Sequence, residues 1–218
     1  MTITPQRYRR IAVVALAALS VIIVTGAAVR LTGSGLGCDD WPNCSSERLI
    51  DVSSKHAAIE QLNRLFTGVV GAAVIAAALG AYRRPPRRAD LVVLAWLLVL
   101  GVLANAVLGG ISVLVDLHPM AVQGHFLLSM GLIVAGTMLV RRAGEPDGVP
   151  RELVVTRPTQ RLVWLQFGLT CVAIFTGTLV TGSGPHAGDE NAERLGFDIS
   201  SITRVHAVAV LTTIAVTL

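Results

Sequence analysis

The chain has 218 residues, of which 53% are hydrophobic and 15% are charged, and its mean hydropathy is +0.66. Soluble domains carry about 25% charged residues, so this composition excludes a soluble enzyme and a disordered chain. The net charge of +4 does not indicate a nucleic-acid partner, because the basic residues flank apolar stretches, as they do in membrane proteins.

Five stretches of the chain lack Asp, Glu, Lys and Arg, and each is long enough to cross a hydrocarbon layer of about 30 Å. They cover residues 11–29, 65–82, 91–115, 117–140 and 162–188, and a sixth begins at Val205 and runs to Leu218. These stretches are continuously apolar, whereas the strands of a membrane barrel alternate and are about half as long. We therefore predict an all-α, polytopic transmembrane helical bundle with about six helices, and we expect the sequence to stop inside the sixth.

The charged residues divide unequally between the two sides of such a bundle. Segments 1–10, 83–90 and 141–161 hold 12 of the 18 basic residues but four of the 14 acidic residues. Because basic residues concentrate on the cytoplasmic side, we predict a cytoplasmic N-terminus. Segments 31–63 and 189–204 are then extracytoplasmic, and 143–160 is a cytoplasmic linker.

Two of the three cysteines, Cys38 and Cys44, fall in segment 31–63, with Pro42 and Asn43 between them as residues suited to a turn. An oxidising exterior permits a disulfide there. One interpretation is a structural staple. The other is a redox-active pair, which would make the chain a thiol-oxidising membrane protein.

Glu60, Asn63 and Arg64 are three and four residues apart, so they share one face at the extracytoplasmic end of the second helix. Ionisable groups at membrane depth are costly, which makes them candidates for function. A Glu60–Arg64 ion pair that anchors the helix is the alternative interpretation, and spacing alone gives it equal weight.

His125 lies inside the fourth apolar stretch and follows Gly124, which allows a flat ring to approach the backbone. His206 lies near the start of the sixth helix, two residues after Arg204. A neutral imidazole is a suitable axial ligand for haem iron. We therefore predict haem iron at His125 and His206, with Arg64 and Arg204 near the haem propionates. Histidines that merely pack and form hydrogen bonds are the alternative.

Four short patterns occur twice in the same order, which indicates an internal duplication. The pairs are Gly-x-x-Val at 26–29 and 177–180, Thr-Gly-Ser-Gly at 32–35 and 181–184, Asp-x-Ser-Ser at 51–54 and 198–201, and Ile59-x-x-x-Asn63 with Ile202-x-x-x-His206. Because the repeat restarts at the fifth helix, the unit is four helices. We predict two tandem four-helix repeats, with a first half at 1–142 and an incomplete second half at 161–218.

Segment 31–44, with the sequence LTGSGLGCDDWPNC, resembles the first extracytoplasmic loop of bacterial haem A synthases, membrane enzymes of cytochrome oxidase assembly. The resemblance extends through the motif at 59–64, His125, segment 181–189 and the motif at 204–206, so it covers the whole chain. It implies eight helices in two halves in the bacterial plasma membrane. Each half would hold a haem between histidines of its second and fourth helices.

The resemblance also implies an activity, the oxidation of the C8 methyl group of haem O to a formyl group, which yields haem A. By position, Glu60 matches the family's catalytic acid, His125 the iron ligand of the substrate half, and His206 the ligand of a haem b type cofactor. Cys38 and Cys44 match a disulfide pair. Haem O is the implied substrate, and haem O synthase, cytochrome oxidase assembly factors, membrane lipid and a second copy of the chain are candidate partners. A haem-binding electron-transfer protein that leaves the porphyrin unmodified is the alternative function.

Asn63 departs from the family pattern, because many members have histidine at this position. The iron at His125 would then be five-coordinate and open to oxygen, or His56 or His118 would replace the missing ligand, or the site would be impaired. The resemblance implies a fourth histidine, on a helix that we expect to lie beyond these 218 residues. The activity of the 218-residue form is therefore left open.

The mechanism that we expect places haem O in the first half. Its iron would be bound by His125, and its propionates would be held by Arg64 or Arg30. Glu60 would shuttle protons or stabilise a cationic intermediate.

Overall fold

A computed structural model gives the structure of the chain and describes residues 2–149 and 154–218. The described residues form six helices and no strand: α1 Pro5–Leu31, α2 Lys55–Arg83, α3 Ala89–Leu114, α4 Pro119–Gly144, α5 Arg157–Ser183 and α6 Ile199–Thr217. All six are long and apolar enough to cross a membrane. The prediction of an all-α, polytopic transmembrane bundle is confirmed. Part of the predicted linker, residues 150–153 with Arg151, lies outside the described residues.

Helices α1, α2 and α6 begin well before their apolar stretches, and a polar residue caps each of them. Ser54 accepts a hydrogen bond from the N–H of Ala57 at the start of α2, and Asp198 accepts one from the N–H of Ser201 at the start of α6. Such caps satisfy backbone donors that a helix leaves free in its first turn. The cap at Ser54 brings residues 55–64 into the helix, so Glu60 lies on α2 as predicted.

The first four helices form a closed ring in which α1 packs on α2, α2 on α3, α3 on α4 and α4 on α1. We call the end of the ring that carries segments 32–54 and 184–198 the loop end, and the end that carries segments 84–88 and 145–149 the arginine end. The continuous apolar core lies in the half near the arginine end, with Tyr8 and Ala12 of α1, Ala77 of α2 and Leu98 of α3 at its centre. Alanines recur in this core and allow the helices to approach closely.

The remaining helices, α5 and α6, pack on each other and, through α5, on α4. Thr176 and Thr178 of α5 and Ile202 of α6 are the buried residues of this pair. Thr178 accepts a 2.6 Å hydrogen bond from the side-chain amide of Gln123 on α4. The molecule therefore consists of a closed four-helix ring and a helix pair attached to the outside of α4.

Candidate functional site

The ring of α1 to α4 encloses a cavity of about 620 Å³ near the loop end, which we call the first cavity. Its walls are mostly apolar, and cofactor sites in proteins have volumes of about 300–1,000 Å³. Polar side chains line it from all four helices, among them Arg30 of α1, Glu60, Asn63 and Arg64 of α2, Asn105 of α3, and His125 and Ser129 of α4. The structure thus brings four of the predicted site residues to one cavity.

His125 is held in the tautomer that suits a metal ligand. Its Nδ1 lies 3.0 Å from the backbone carbonyl oxygen of Asn105. A carbonyl oxygen can only accept, so Nδ1 carries the proton and the lone pair of Nε2 remains available. No hydrogen-bond partner of Nε2 lies among the described residues. A side chain on Gly109 would approach to 3.0 Å of the imidazole Cε1, so this glycine makes room for the ring.

The residues around His125 fit a haem better than a bare metal ion. In the part of the chain that the structure describes, no group of three or more His, Cys, Asp or Glu is placed to hold a metal. A single imidazole therefore suits a metal that brings its other ligands with it, as haem iron does. The buried Oδ1 of Asn105 also has no hydrogen-bond partner, while its Nδ2 donates to Ser129 Oγ at 2.9 Å.

Asn63 lines the first cavity from α2, the helix diagonally opposite α4 in the ring. Its Oδ1 accepts a 2.7 Å hydrogen bond from the hydroxyl of Thr25 on α1. The structure therefore places an amide where the family pattern has histidine. His56 and His118, the alternative ligands, do not line this cavity.

Glu60 and Arg64 form the ion pair that spacing allowed, and both hold segment 32–54 in place. Oε1 of Glu60 accepts hydrogen bonds from Nε and Nη2 of Arg64 at 2.9 and 2.5 Å, and Oε2 accepts one from the backbone N–H of Cys38 at 2.8 Å. Nη1 of Arg64 donates to the carbonyl oxygens of Asp40 and Asn43, and Nη2 also donates to that of Cys38. A guanidinium has five N–H groups, and each of them has an acceptor here.

Arg30 is a better placed cation than Arg64 for a ligand carboxylate. Its Nε and Nη2 donate to the backbone carbonyl oxygens of His186 and Thr181 at 2.6 and 3.3 Å. Its other three N–H groups have no acceptor among residues 2–149 and 154–218. Arg204, in contrast, is exposed and lines neither this cavity nor the second cavity described below, so its predicted role in cofactor binding gains no support from its position.

Segment 32–54 covers the first cavity and is closed by a disulfide between Cys38 and Cys44. The two cysteines are 1% and 2% exposed, which favours a structural staple over a pair that exchanges with thiols. Trp41 lines the cavity and packs directly against Gly110 of α3, where any side chain would collide with the indole. Sequence reasoning did not select Trp41; the adjacent glycines at 109 and 110 were the available signal.

A second cavity, of about 540 Å³, lies between α4, α5 and α6 and is lined by His206. Nδ1 of His206 lies 3.1 Å from the hydroxyl of Thr176, which donates its own proton to the carbonyl oxygen of Val172 at 2.9 Å. With the hydroxyl proton on the Val172 carbonyl, Nδ1 of His206 donates to Thr176 Oγ1 and Nε2 keeps its lone pair, as in His125. A side chain on Gly177 would lie 3.1 Å from Cε1 of this imidazole. Residues that line both cavities are Arg30, Leu117, Val122, Phe126 and Ala187.

Comparisons with known proteins agree on one family. Residues 9–188 match the model of the family COX15-CtaA, described as cytochrome oxidase assembly protein. Relatives include proteins named "Heme A synthase" from Exiguobacterium sibiricum (27% identical, covering 76% of this chain and 56% of the relative) and Halalkalibacterium halodurans (29%, covering 73% and 54%). The relative of the same name from Shouchella clausii is 28% identical, with coverage of 79% and 58%. The chain thus spans little more than half the length of these relatives. No solved structure matches it.

Proposed function

The chain belongs to the COX15-CtaA family of cytochrome oxidase assembly proteins, and from this membership we propose that it acts in haem A biosynthesis by oxidising the C8 methyl group of haem O to a formyl group. The observation that carries the proposal is the first cavity, which combines a volume of about 620 Å³ with an imidazole whose Nε2 is free. The name of the relatives, heme A synthase, supports the same role.

Several residues of the first cavity would bind different parts of the haem. His125 Nε2 would bind the iron, and the backbone carbonyl of Asn105 would hold the imidazole ring in position by accepting a hydrogen bond from its Nδ1. Arg30 would pair with a propionate through its remaining N–H groups. Trp41 and the apolar walls would exclude water from the porphyrin. Haem iron, when bound, supplies the redox chemistry of the reaction.

Glu60 is the one acidic side chain among the described residues that line the first cavity. The N–H groups of Arg64 and Cys38 stabilise its carboxylate, while burial opposes the charge. We assign to Glu60 the transfer of a proton at Oε2, the oxygen that Arg64 does not contact. Arg64 would fix the side chain through Oε1 and hold the covering segment closed during the reaction.

The second cavity would hold the haem b type cofactor with its iron on His206, beside the wall that it shares with the first cavity. We propose that the arginine end, with its excess of basic residues, lies in the cytoplasm and that the loop end lies outside the bacterial plasma membrane. Cytochrome oxidase assembly factors and haem O synthase are the partners that this role implies.

The proposal is tested by analysing the haem pigments of the purified chain after expression in membranes that make haem O. We expect haem A in the extract of the unaltered chain. Glu60→Gln should keep the bound haem and abolish haem A, because it keeps the shape but removes the charge. His125→Ala should lose part of the reduced-minus-oxidised absorption spectrum, because it removes the iron ligand of the first cavity.

Glu47→Gln and His186→Ala are the matched controls, since both side chains are exposed at the loop end and line neither cavity. Both should behave like the unaltered chain. A protein that stays colourless with porphyrin supplied would refute the proposal. Bound haem without any haem A would favour electron transfer without porphyrin modification.

A further inference from the structure

A threonine behind the wall of each cavity contacts a lining residue, and the two lining residues differ. Beside the second cavity, Thr176 of α5 contacts Nδ1 of His206 on α6 at 3.1 Å. In the ring, Thr25 of α1 contacts Oδ1 of Asn63 on α2 at 2.7 Å. Each threonine precedes the glycine of a repeated Gly-x-x-Val, and Asn63 corresponds to His206 in the repeat. The structure thus shows one arrangement built twice, with an imidazole in one copy and an amide in the other.

The glycines of the two copies show how much space is left open where asparagine stands in place of histidine. A side chain on Gly177 would meet three atoms of the His206 ring at 3.1 to 3.7 Å. A side chain on Gly26 would meet nothing within 4 Å, although Gly26 lines the first cavity. The space that an imidazole occupies in the second half is therefore open in the first half, because the shorter amide does not reach it.

The amide beside this space presents a hydrogen-bond donor. Thr25 fixes Oδ1 of Asn63, and no acceptor for Nδ2 lies among the described residues. An amide is a poor ligand for iron. On the side of a haem opposite its histidine, the hydrogen-bond donors and the free space determine whether a small molecule binds the metal.

We propose that the space between Gly26 and Asn63 binds a neutral diatomic molecule, such as carbon monoxide or oxygen, on the iron face opposite His125. This inference rests on the proposed function, because it requires haem in the first cavity. Asn63 Nδ2 donates a hydrogen bond to the bound molecule, and Thr25 keeps the amide in the orientation that makes this possible.

Carbon monoxide is the probe, added to the purified full chain after reconstitution with haem B and reduction. The second cavity also has a single histidine among the described residues that line it, so the measurement is made in the variant His206→Ala. We expect a carbon monoxide difference spectrum in His206→Ala. Adding Asn63→His should abolish it and give a six-coordinate, low-spin spectrum, because the second imidazole then takes the open position.

The size of the space is tested by Gly26→Val, which should weaken carbon monoxide binding while haem remains bound. Gly68→Val on α2 is the matched control, since Gly68 also has nothing within 4 Å but does not line the cavity. The donor is tested in the same His206→Ala background. Asn63→Leu there should raise the carbon–oxygen stretching frequency of the bound molecule, because a donor on its oxygen lowers that frequency.

Haem bound in His206→Ala without a carbon monoxide spectrum would overturn this inference and leave the proposed function standing. The same holds if Asn63→His leaves the spectrum unchanged or if Asn63→Leu does not move the stretching frequency. Failure of every variant and of the unaltered chain to bind haem would refute the proposed function, and this inference with it.

Discussion

Each half of the molecule uses an arginine to hold its loop, but the two loops are held unequally. Arg64 donates to the carbonyl oxygens of three residues in segment 32–54, and Arg194 donates to those of Pro185, Asp189 and Ala192 in segment 184–198. Arg64 also pairs with the buried Glu60, and segment 32–54 has a disulfide. The extra contacts occur in the loop that covers the first cavity.

The two cavities also differ in the helices that surround them. The first is surrounded by four helices and covered by Trp41, whereas the second lies between α4 and a helix pair whose side chains are mostly exposed. The histidines and the glycines beside them are nevertheless alike. The local geometry of the histidine is therefore repeated, whereas the surroundings of the cavity are not.

We expect the largest effect on stability when Arg64 and Arg194 are replaced one at a time. Arg64→Met leaves the Glu60 carboxylate buried without its partner, and breaking a buried pair in this way costs about 3–5 kcal/mol. Arg194→Met removes hydrogen bonds to backbone carbonyls that water can replace in part, so its cost should be nearer 1 kcal/mol. Thermal denaturation in detergent measures both, and limited proteolysis should cut segment 32–54 of Arg64→Met.

Arg48→Met is the control for this pair of variants, because Arg48 belongs to segment 32–54 and its side chain is 59% exposed. Its stability should stay within about 0.5 kcal/mol of the unaltered chain. Equal losses from Arg64→Met and Arg194→Met would show that the Glu60 pair adds nothing to the first loop.

Removal of the disulfide should have a smaller effect on stability. Replacing both Cys38 and Cys44 by serine removes a short covalent loop, for which chain entropy predicts a loss of about 2 kcal/mol. Protease sensitivity should rise in segment 32–54 and stay unchanged in segment 184–198. Cys171→Ser, at an exposed free cysteine, is the control. Haem A formation that survives the double variant would exclude the thiol-oxidising function, and its complete loss with the haem still bound would argue against a mere staple.

The helices could be predicted from the sequence because lipid imposes a simple rule on it. A helix that crosses the membrane satisfies its own backbone, so apolar length alone indicated all six. The internal duplication stays a prediction, although its matched positions Asn63 and His206 take up similar contacts with Thr25 and Thr176.

The covering segment could not be predicted, because its contacts join residues distant in the sequence. Arg64 was expected beside a propionate, and the carbonyl oxygens that occupy its N–H groups belong to an irregular loop with no periodic pattern. The contact of Trp41 with Gly110 likewise joins the covering segment to α3. At the arginine end, Arg84 is 2% exposed and pairs with Asp147, although a loop arginine is ordinarily solvated.

The smallest difference should appear at the helix caps, where α2 begins with a serine and α6 with an aspartate. Hydrogen bonds from Ser201 hold the pKa of Asp198 below its usual range, so the folded state favours the carboxylate. The contribution of this cap is therefore complete above the ordinary pKa of an aspartate and is lost as the pH falls through the lowered one. The hydroxyl of Ser54 does not titrate in this range.

Amide hydrogen exchange between neutral and acidic pH, corrected for intrinsic rates, tests this difference between the two halves. Protection of the Ser201 N–H should fall on acidification, while that of the Ala57 N–H should not change. Asp198→Asn keeps a capping oxygen without a titratable group, so it should remove the pH dependence and leave α6 capped. If both first turns lose protection together, acid acts on the bundle as a whole, and the cap of α6 has no separate role.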